Sequence, residues 1–199
     1  MIELTDLCFS YGDKEIFKDL SFTFPDQGVF AIMGRSGEGK TTLLRLLAGL
    51  EKPTAGKLES THERIAFAFQ EPRLLPWLNS AENLNFVLSK EMQKGDAAAQ
   101  LLEKFELADS AEKLPAELSG GMKQRLSLAR ALAVGADLLL LDEPFSALDG
   151  ALKERIAQLV KKANPNGLTV IVTHDKSDAE LLGATVLCLM QQPVSTLTK

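Results

Sequence analysis

The amino-acid sequence predicts an α/β fold, with a mainly parallel sheet core, an N-terminal antiparallel β region and an inserted helical subdomain. Three observations predict it. From residue 29 onward, apolar runs of strand length alternate with helical patterns, the order that gives a parallel sheet covered by helices. Before residue 29 the chain is β-like throughout. Between residues 71 and 118 the alternation breaks and the composition becomes helical. The 199 residues are enough for one domain with a sizeable core. Residues 1–70 and 119–199 are read as the core with its N-terminal β region, and 71–118 as the helical subdomain.

The elements follow in order. IELTDLCF alternates apolar and polar residues, and LSFTF and VFAIMG are rich in aromatic and β-branched residues around a turn at Pro25 and Gly28. A helix begins near Lys40 with TTLLRLLAGL and is closed by Gly49 and Pro53. RIAFAFQ reads as a strand, SAENLNFVLSK and DAAAQLLEKFEL as helices, and LSGGMKQR opens another long helical pattern. DLLLLDEP is a strand. ALKERIAQLVKK places Leu152, Ile156, Leu159 and Val160 on one helical face, and residues 164–167, NPNG, turn into the next strand, LTVIVTHD. DAELLGA is a short helix and TVLCLM the final strand.

The chain carries 22 Lys and Arg against 27 Asp and Glu. Residues 1–100 hold 11 of the basic and 14 of the acidic residues, so neither half is basic and the stripe of a nucleic-acid binder is missing. The longest apolar runs are strand-sized, far short of the roughly 18 residues of a membrane span. No signal peptide is read at the N-terminus. Cys8 and Cys188 sit among apolar neighbours and are expected to be core thiols. These features place the chain in the cytoplasm.

GRSGEGKT, residues 34–41, matches G-x-x-x-x-G-K-[ST] between a strand and a helix. Gly34, Arg35, Ser36, Gly37, Glu38 and Gly39 would wrap a phosphate with backbone N–H groups at a helix N-terminus. Lys40 would reach the β- and γ-phosphates, the Thr41 hydroxyl would ligate Mg²⁺, and Thr42 completes the nucleotide contacts. Glu38 is the odd member, because a carboxylate beside phosphates repels them; its side chain is expected to point outward. LLLLDEP places Asp142 and Glu143 at the C-terminal end of a strand, where ligands gather in parallel sheets. Asp142 suits Mg²⁺ and Glu143 suits accepting a proton from the attacking water. His174 ends the strand VIVTHD, and Gln70 follows AFAF, where its amide can reach Mg²⁺ or the water. His62, in STHER, is expected to be a surface residue.

Together these residues resemble the P-loop NTPase domain of ABC transporters, most closely the importer branch for nitrate, sulfonates and taurine. The likeness takes in the phosphate loop, Gln70, the signature LSGGMKQR, Asp142 with Glu143, the SALD segment and His174; Tyr11 matches the family's adenine-stacking aromatic. The resemblance implies an ATPase with Glu143, His174 and Gln70 as catalytic residues and ATP and Mg²⁺ as ligands, with Thr41, Gln70 and Asp142 at the metal. It also implies that two domains face each other head to tail, so that Ser119, Gly120 and Gly121 hold the γ-phosphate of the partner's ATP. The partners implied are a second copy or a homologous ATPase subunit, transmembrane permease subunits and an extracytoplasmic substrate-binding protein, with no nucleic acid. The location implied is peripheral, on the inner face of the cell membrane.

Leu74, Leu75, Pro76 and Trp77 read either as a docking surface or as packing within the helical subdomain. Gly183, Ala184 and Thr185 stand where many importer ATPases carry an Asp-Arg pair, and a regulatory C-terminal domain is expected to be lacking. A soluble ABC-type ATPase of DNA repair or translation, and a P-loop kinase, remain as alternatives. The first would carry a coiled-coil insertion or a second nucleotide domain, and the second would not need LSGGMKQR.

Overall fold

Strands and helices occur in the predicted order, with three additions. The computed structural model describes residues 1–93, 95–190 and 193–198. β1 (Ile2–Tyr11) and β2 (Lys14–Phe24) form a hairpin, and β3 (Gly28–Met33) leads through the phosphate loop into α1 (Lys40–Leu47). β4 (Ala55–Ser60) and β5 (Ile65–Ala68) follow, then α2 (Ser80–Asn85), α3 (Lys90–Gln93) and α4 (Ala97–Lys104). After α5 (Gly120–Ala133) come β6 (Leu138–Asp142), α6 (Gly150–Ala163), β7 (Leu168–Val172), α7 (Lys176–Leu182), β8 (Thr185–Met190) and β9 (Thr196–Thr198).

β2, β1 and β4 make a three-stranded antiparallel sheet. The second sheet has the order β5-β6-β7-β3-β8-β9, and all its pairs are parallel except β8 with β9. β4, the four-residue α3 and β9 are the additions. AGKLES has one half-buried residue, and β9 is three residues long with only Leu197 buried. Neither offers the period-two alternation that reveals a strand from sequence. TVLCLM is therefore not the last strand.

β6 and β7 are buried at every residue, as central parallel strands covered on both faces must be. Alternation then divides their side chains. Leu138 and Leu140 join Leu168, Val170 and Val172 in a core with α1 and the antiparallel sheet, while Leu139, Leu141 and Ile171 face α5, α6 and the helical segment. Burying each such side chain contributes about 1.5–3 kcal/mol. The next residue in step with Leu138 and Leu140 is Asp142, so the same alternation aims its carboxylate at the α1 face.

Cys8 and Cys188 are half-buried rather than sealed in the core, because each faces the less covered side of its strand. His62 departs from its expected place as well. Its ring is half-buried beside Asp26 and Asp137 at the opposite end of the parallel strands from the phosphate loop, and Nε2 is enclosed without a hydrogen-bond partner among the described residues. Burial, then the nearby N-terminal amine, lowers its pKa against the opposing pull of Asp26 and Asp137.

Candidate functional site

The site lies where β3, β6 and β7 end at their carboxyl edge. A cavity of about 300 Å³ opens there, lined by Ser36, Gly37, Gly39, Lys40, Thr41 and Thr42 of the phosphate loop and α1, by Asp142 and Glu143 after β6, and by Gln70. Tyr11, Lys14 and Ile16 of the β1–β2 hairpin form its far wall. Tyr11 is 45% exposed and its ring meets that of Phe9 edge-to-face at 4.8 Å, so the residue is open to a flat ligand.

The loop keeps its shape through internal bonds. Lys40 Nζ donates to Gly34 O at 2.9 Å and to Arg35 O at 2.7 Å, which stores the ammonium at the mouth of the loop. Gly39 has φ +94°, and a Cβ there would meet Ile16 Cγ2 at 2.5 Å, so the loop rests directly on β2. Glu38 turns back on its own loop, where Oε2 accepts the Arg35 N–H at 2.6 Å. Gly34, Arg35 and Glu38 lie outside the cavity lining, and the half-buried Glu38 carboxylate packs over Gly34.

Asp142 is 2% exposed, and its Oδ2 accepts the Thr41 hydroxyl at 2.7 Å. Burial raises the Asp142 pKa and the Glu143 charge adds to this, against the Thr41 hydrogen bond and the Lys40 charge. A buried carboxylate paired with one hydroxyl, beside the Gln70 amide, is a hard oxygen set that suits Mg²⁺. Among the described residues no group of three His, Cys, Asp or Glu forms a metal cage.

Glu143 has φ +46°, an uncommon conformation for a residue with a side chain. Its N–H donates to Val172 O at 2.9 Å, which ties the turn to the end of β7. Its carboxylate meets His174 Nδ1 at 3.3 Å. His174 does not line the cavity itself, and 69% of its side chain is exposed. The fold thus unites Gln70, Asp142, Glu143 and His174 from three strand ends, although 104 residues separate the first from the last.

Ser119, Gly120 and Gly121 lie apart from this cavity. Ser119 caps α5 by accepting the Met122 N–H at 3.3 Å, and Ser119 and Gly120 are exposed, so the N-terminus of a 14-residue helix faces outward. Beyond Gln70, Asn83 is fully buried and fastens the following segment: Oδ1 accepts the Leu75 N–H at 2.9 Å while Nδ2 donates to Leu78 O and Asn79 O. Leu74 and Leu75 are half-buried as a result, whereas Trp77 is 71% exposed and Phe86 69%. Phe86, but not Trp77, lines a groove with Phe69, Arg73, Leu75 and Arg130. Lys14 and Ile16 were not identified from sequence, since an exposed lysine and a strand isoleucine carry no signal of a site.

A family model described as ABC transporter matches residues 17–146. The chain is 45% identical over 192 residues to the aliphatic sulfonates import ATP-binding protein SsuB 3 of Pseudomonas savastanoi pv. phaseolicola, covering 90% of this chain and 69% of that protein. It is 46% identical over 187 residues to the aliphatic sulfonates import ATP-binding protein SsuB of Corynebacterium glutamicum, covering 90% of this chain and 76% of the relative. The dimeric ATP-binding cassette MJ0796, in a post-hydrolysis state bound to ADP and Pi, superposes with a TM-score of 0.87 at 29% identity, over 100% of this chain and 98% of that one.

Proposed function

The chain belongs to the ABC transporter family, and from that premise we propose that it drives a membrane importer of aliphatic sulfonates or similar small organic anions. It is an ATP-binding, ATP-hydrolysing subunit. One observation carries the mechanism: the cavity joins the phosphate loop to Asp142, Glu143 and Gln70, while Ser119–Gly121 present a second helix N-terminus facing outward.

In this reading Tyr11 stacks on adenine and the loop amides hold the β-phosphate. Lys40 leaves the Gly34 and Arg35 carbonyls for the β- and γ-phosphates. Thr41, Asp142 and Gln70 would hold Mg²⁺, which when bound neutralises charge on the phosphate oxygens. Glu143 takes a proton from a water whose oxygen bonds to the γ-phosphorus as the bond to the ADP oxygen breaks. His174, at hydrogen-bonding range of Glu143, steadies that carboxylate and contacts the γ-phosphate.

Ser119, Gly120 and Gly121 serve the ATP of a second copy, so two chains close over two nucleotides and separate once the γ-phosphate is gone. No described helix is long and apolar enough to cross a membrane. In this reading coupling runs through transmembrane permease subunits seated in the groove that Phe69, Arg73 and Phe86 line, with the chain peripheral on the inner face. An extracytoplasmic binding protein would select the cargo.

The test is Glu143→Gln with ATP and Mg²⁺. A closed dimer of twice the chain mass is expected, and it should dissolve when Gly121→Asp is added. A monomer with ATP bound would overturn the two-copy arrangement. Purification from native membranes should bring down a polytopic partner; recovery of soluble partners alone would refute transport.

A further inference from the structure

Lys153 lies in α6, one turn beyond Asp149, which caps that helix by accepting the Leu152 N–H. Its side chain is 14% exposed, and its ammonium makes two hydrogen bonds and a further ion pair, all on one short segment of a different element. Nζ reaches Asp175 Oδ2 at 2.7 Å, Ser177 Oγ at 2.9 Å and Asp178 Oδ1 at 2.5 Å. The Asp178 side chain is 6% exposed.

These acceptors also fix the residues on either side of His174. Asp178 accepts the Thr173 hydroxyl through its other oxygen, Thr173 Oγ1 accepts the Asp175 N–H at 3.0 Å, and Asp175 Oδ1 accepts the Ser177 N–H at 2.8 Å. Thr173 is 1% exposed, so the anchor is internal while the His174 ring projects outward. On the other side, Ser146 donates both its N–H and its hydroxyl to Glu143 O, and the chain runs from there to Asp149 and α6. The contacts form a ring: Glu143 to Ser146, α6, Lys153, the Asp175–Asp178 segment, His174, and back to Glu143 at 3.3 Å.

We propose that Lys153 is a positioning residue for hydrolysis, which clamps the His174 loop to α6 and so holds the imidazole in register with Glu143. The proposal rests on the reading of the site given above. Lys153 lies beyond the span that the family model matches, and it touches none of the residues lining the nucleotide cavity. Its influence runs through His174. A clamp of this kind matters because a displacement of about 1 Å at a catalytic group can cost about a hundredfold in rate.

The experiment is a kinetic cycle on the full chain with ATP and Mg²⁺: parent, Lys153→Met, His174→Ala and the double variant. Lys153→Met should lower kcat by about 10- to 100-fold and leave KM within about threefold of the parent. Lys153→Arg, which keeps the cation, should restore most of the rate. In the His174→Ala background, Lys153→Met should cost little more, because its route is already cut.

A full multiplicative loss in the double variant, or a parental kcat in Lys153→Met, overturns the proposal. If Lys153→Met does not fold, Asp178→Asn enters the same cycle with the same expectations. A parent chain that turns over no ATP would instead overturn the reading of the site, so the two failures are distinct.

Discussion

Replacing Gly39 by alanine tests how the phosphate loop is held. Gly39 sits at φ +94°, where a side chain costs about 1–2 kcal/mol from backbone strain alone. The added Cβ would also meet Ile16 Cγ2 at 2.5 Å and Phe17 Cζ at 3.1 Å. Ile16 is 7% exposed and Phe17 fully buried, so neither can swing into solvent, and relieving the overlap costs about 1–3 kcal/mol more. Together these give about 2–5 kcal/mol, or a fall of about 4–20 °C in Tm for a chain of this size.

Gly12 supplies the control, since it has φ +57° but open space around its Cβ. Gly12→Ala should lose only the strain, about 1–2 kcal/mol. Thermal and urea unfolding of the two nucleotide-free variants give the comparison, and ATP titration should show at least about a tenfold weaker site in Gly39→Ala. If Gly39→Ala is no less stable than Gly12→Ala, the packing of the loop on β2 does not carry the cost and the reasoning fails.

Three further outcomes follow from the site and its surroundings. Glu38→Ala should weaken the loop by about 1–2 kcal/mol through loss of the Arg35 N–H bond, yet change ATP affinity by less than about threefold; a large gain in affinity would mean that the carboxylate faces the phosphates. Asp142→Asn concerns a carboxyl whose folded pKa burial has raised, so the native state binds its proton more tightly and that stability is lost as pH rises through the folded pKa. The nucleotide-free Asn variant should therefore unfold at a higher urea midpoint than the parent at pH 8, with a gap that narrows toward pH 4, and should lose Mg²⁺-dependent ATP binding; a lower midpoint at pH 8 would contradict this. His62 has the opposite sign: burial lowers its pKa, so the unfolded chain binds the extra proton and stability falls as pH drops below about 6.5. His62→Gln should flatten the difference in urea midpoint between pH 7.5 and 5.5, and an unchanged difference would place the titration elsewhere.

Local chemistry made the phosphate loop legible, since glycine spacing, Lys40 and Thr41 are needed wherever backbone amides cradle a phosphate. The buried runs LLLLD and LTVIV likewise announced central strands, because a strand covered on both faces has no polar positions. With those strands placed, Asp142, Glu143 and His174 had to lie at one edge. The signature LSGGMKQR was readable too, although its separation from the chain's own cavity is a matter of tertiary placement.

Other features depend on partners distant in sequence. β4 and β9 exist because β1 and β8 offer edges to pair with, and their own residues carry almost no apolar pattern. Lys153 looks from sequence like any solvated lysine on a helix. Only the packing of α6 beside α7 buries its stem and brings Asp175, Ser177 and Asp178 around the ammonium. The sequence by itself determined which chemistry was present, because that chemistry needs particular residue types at short spacing. The tertiary structure decided which carboxylates share a site and which cation holds them, because such contacts depend on where distant elements meet.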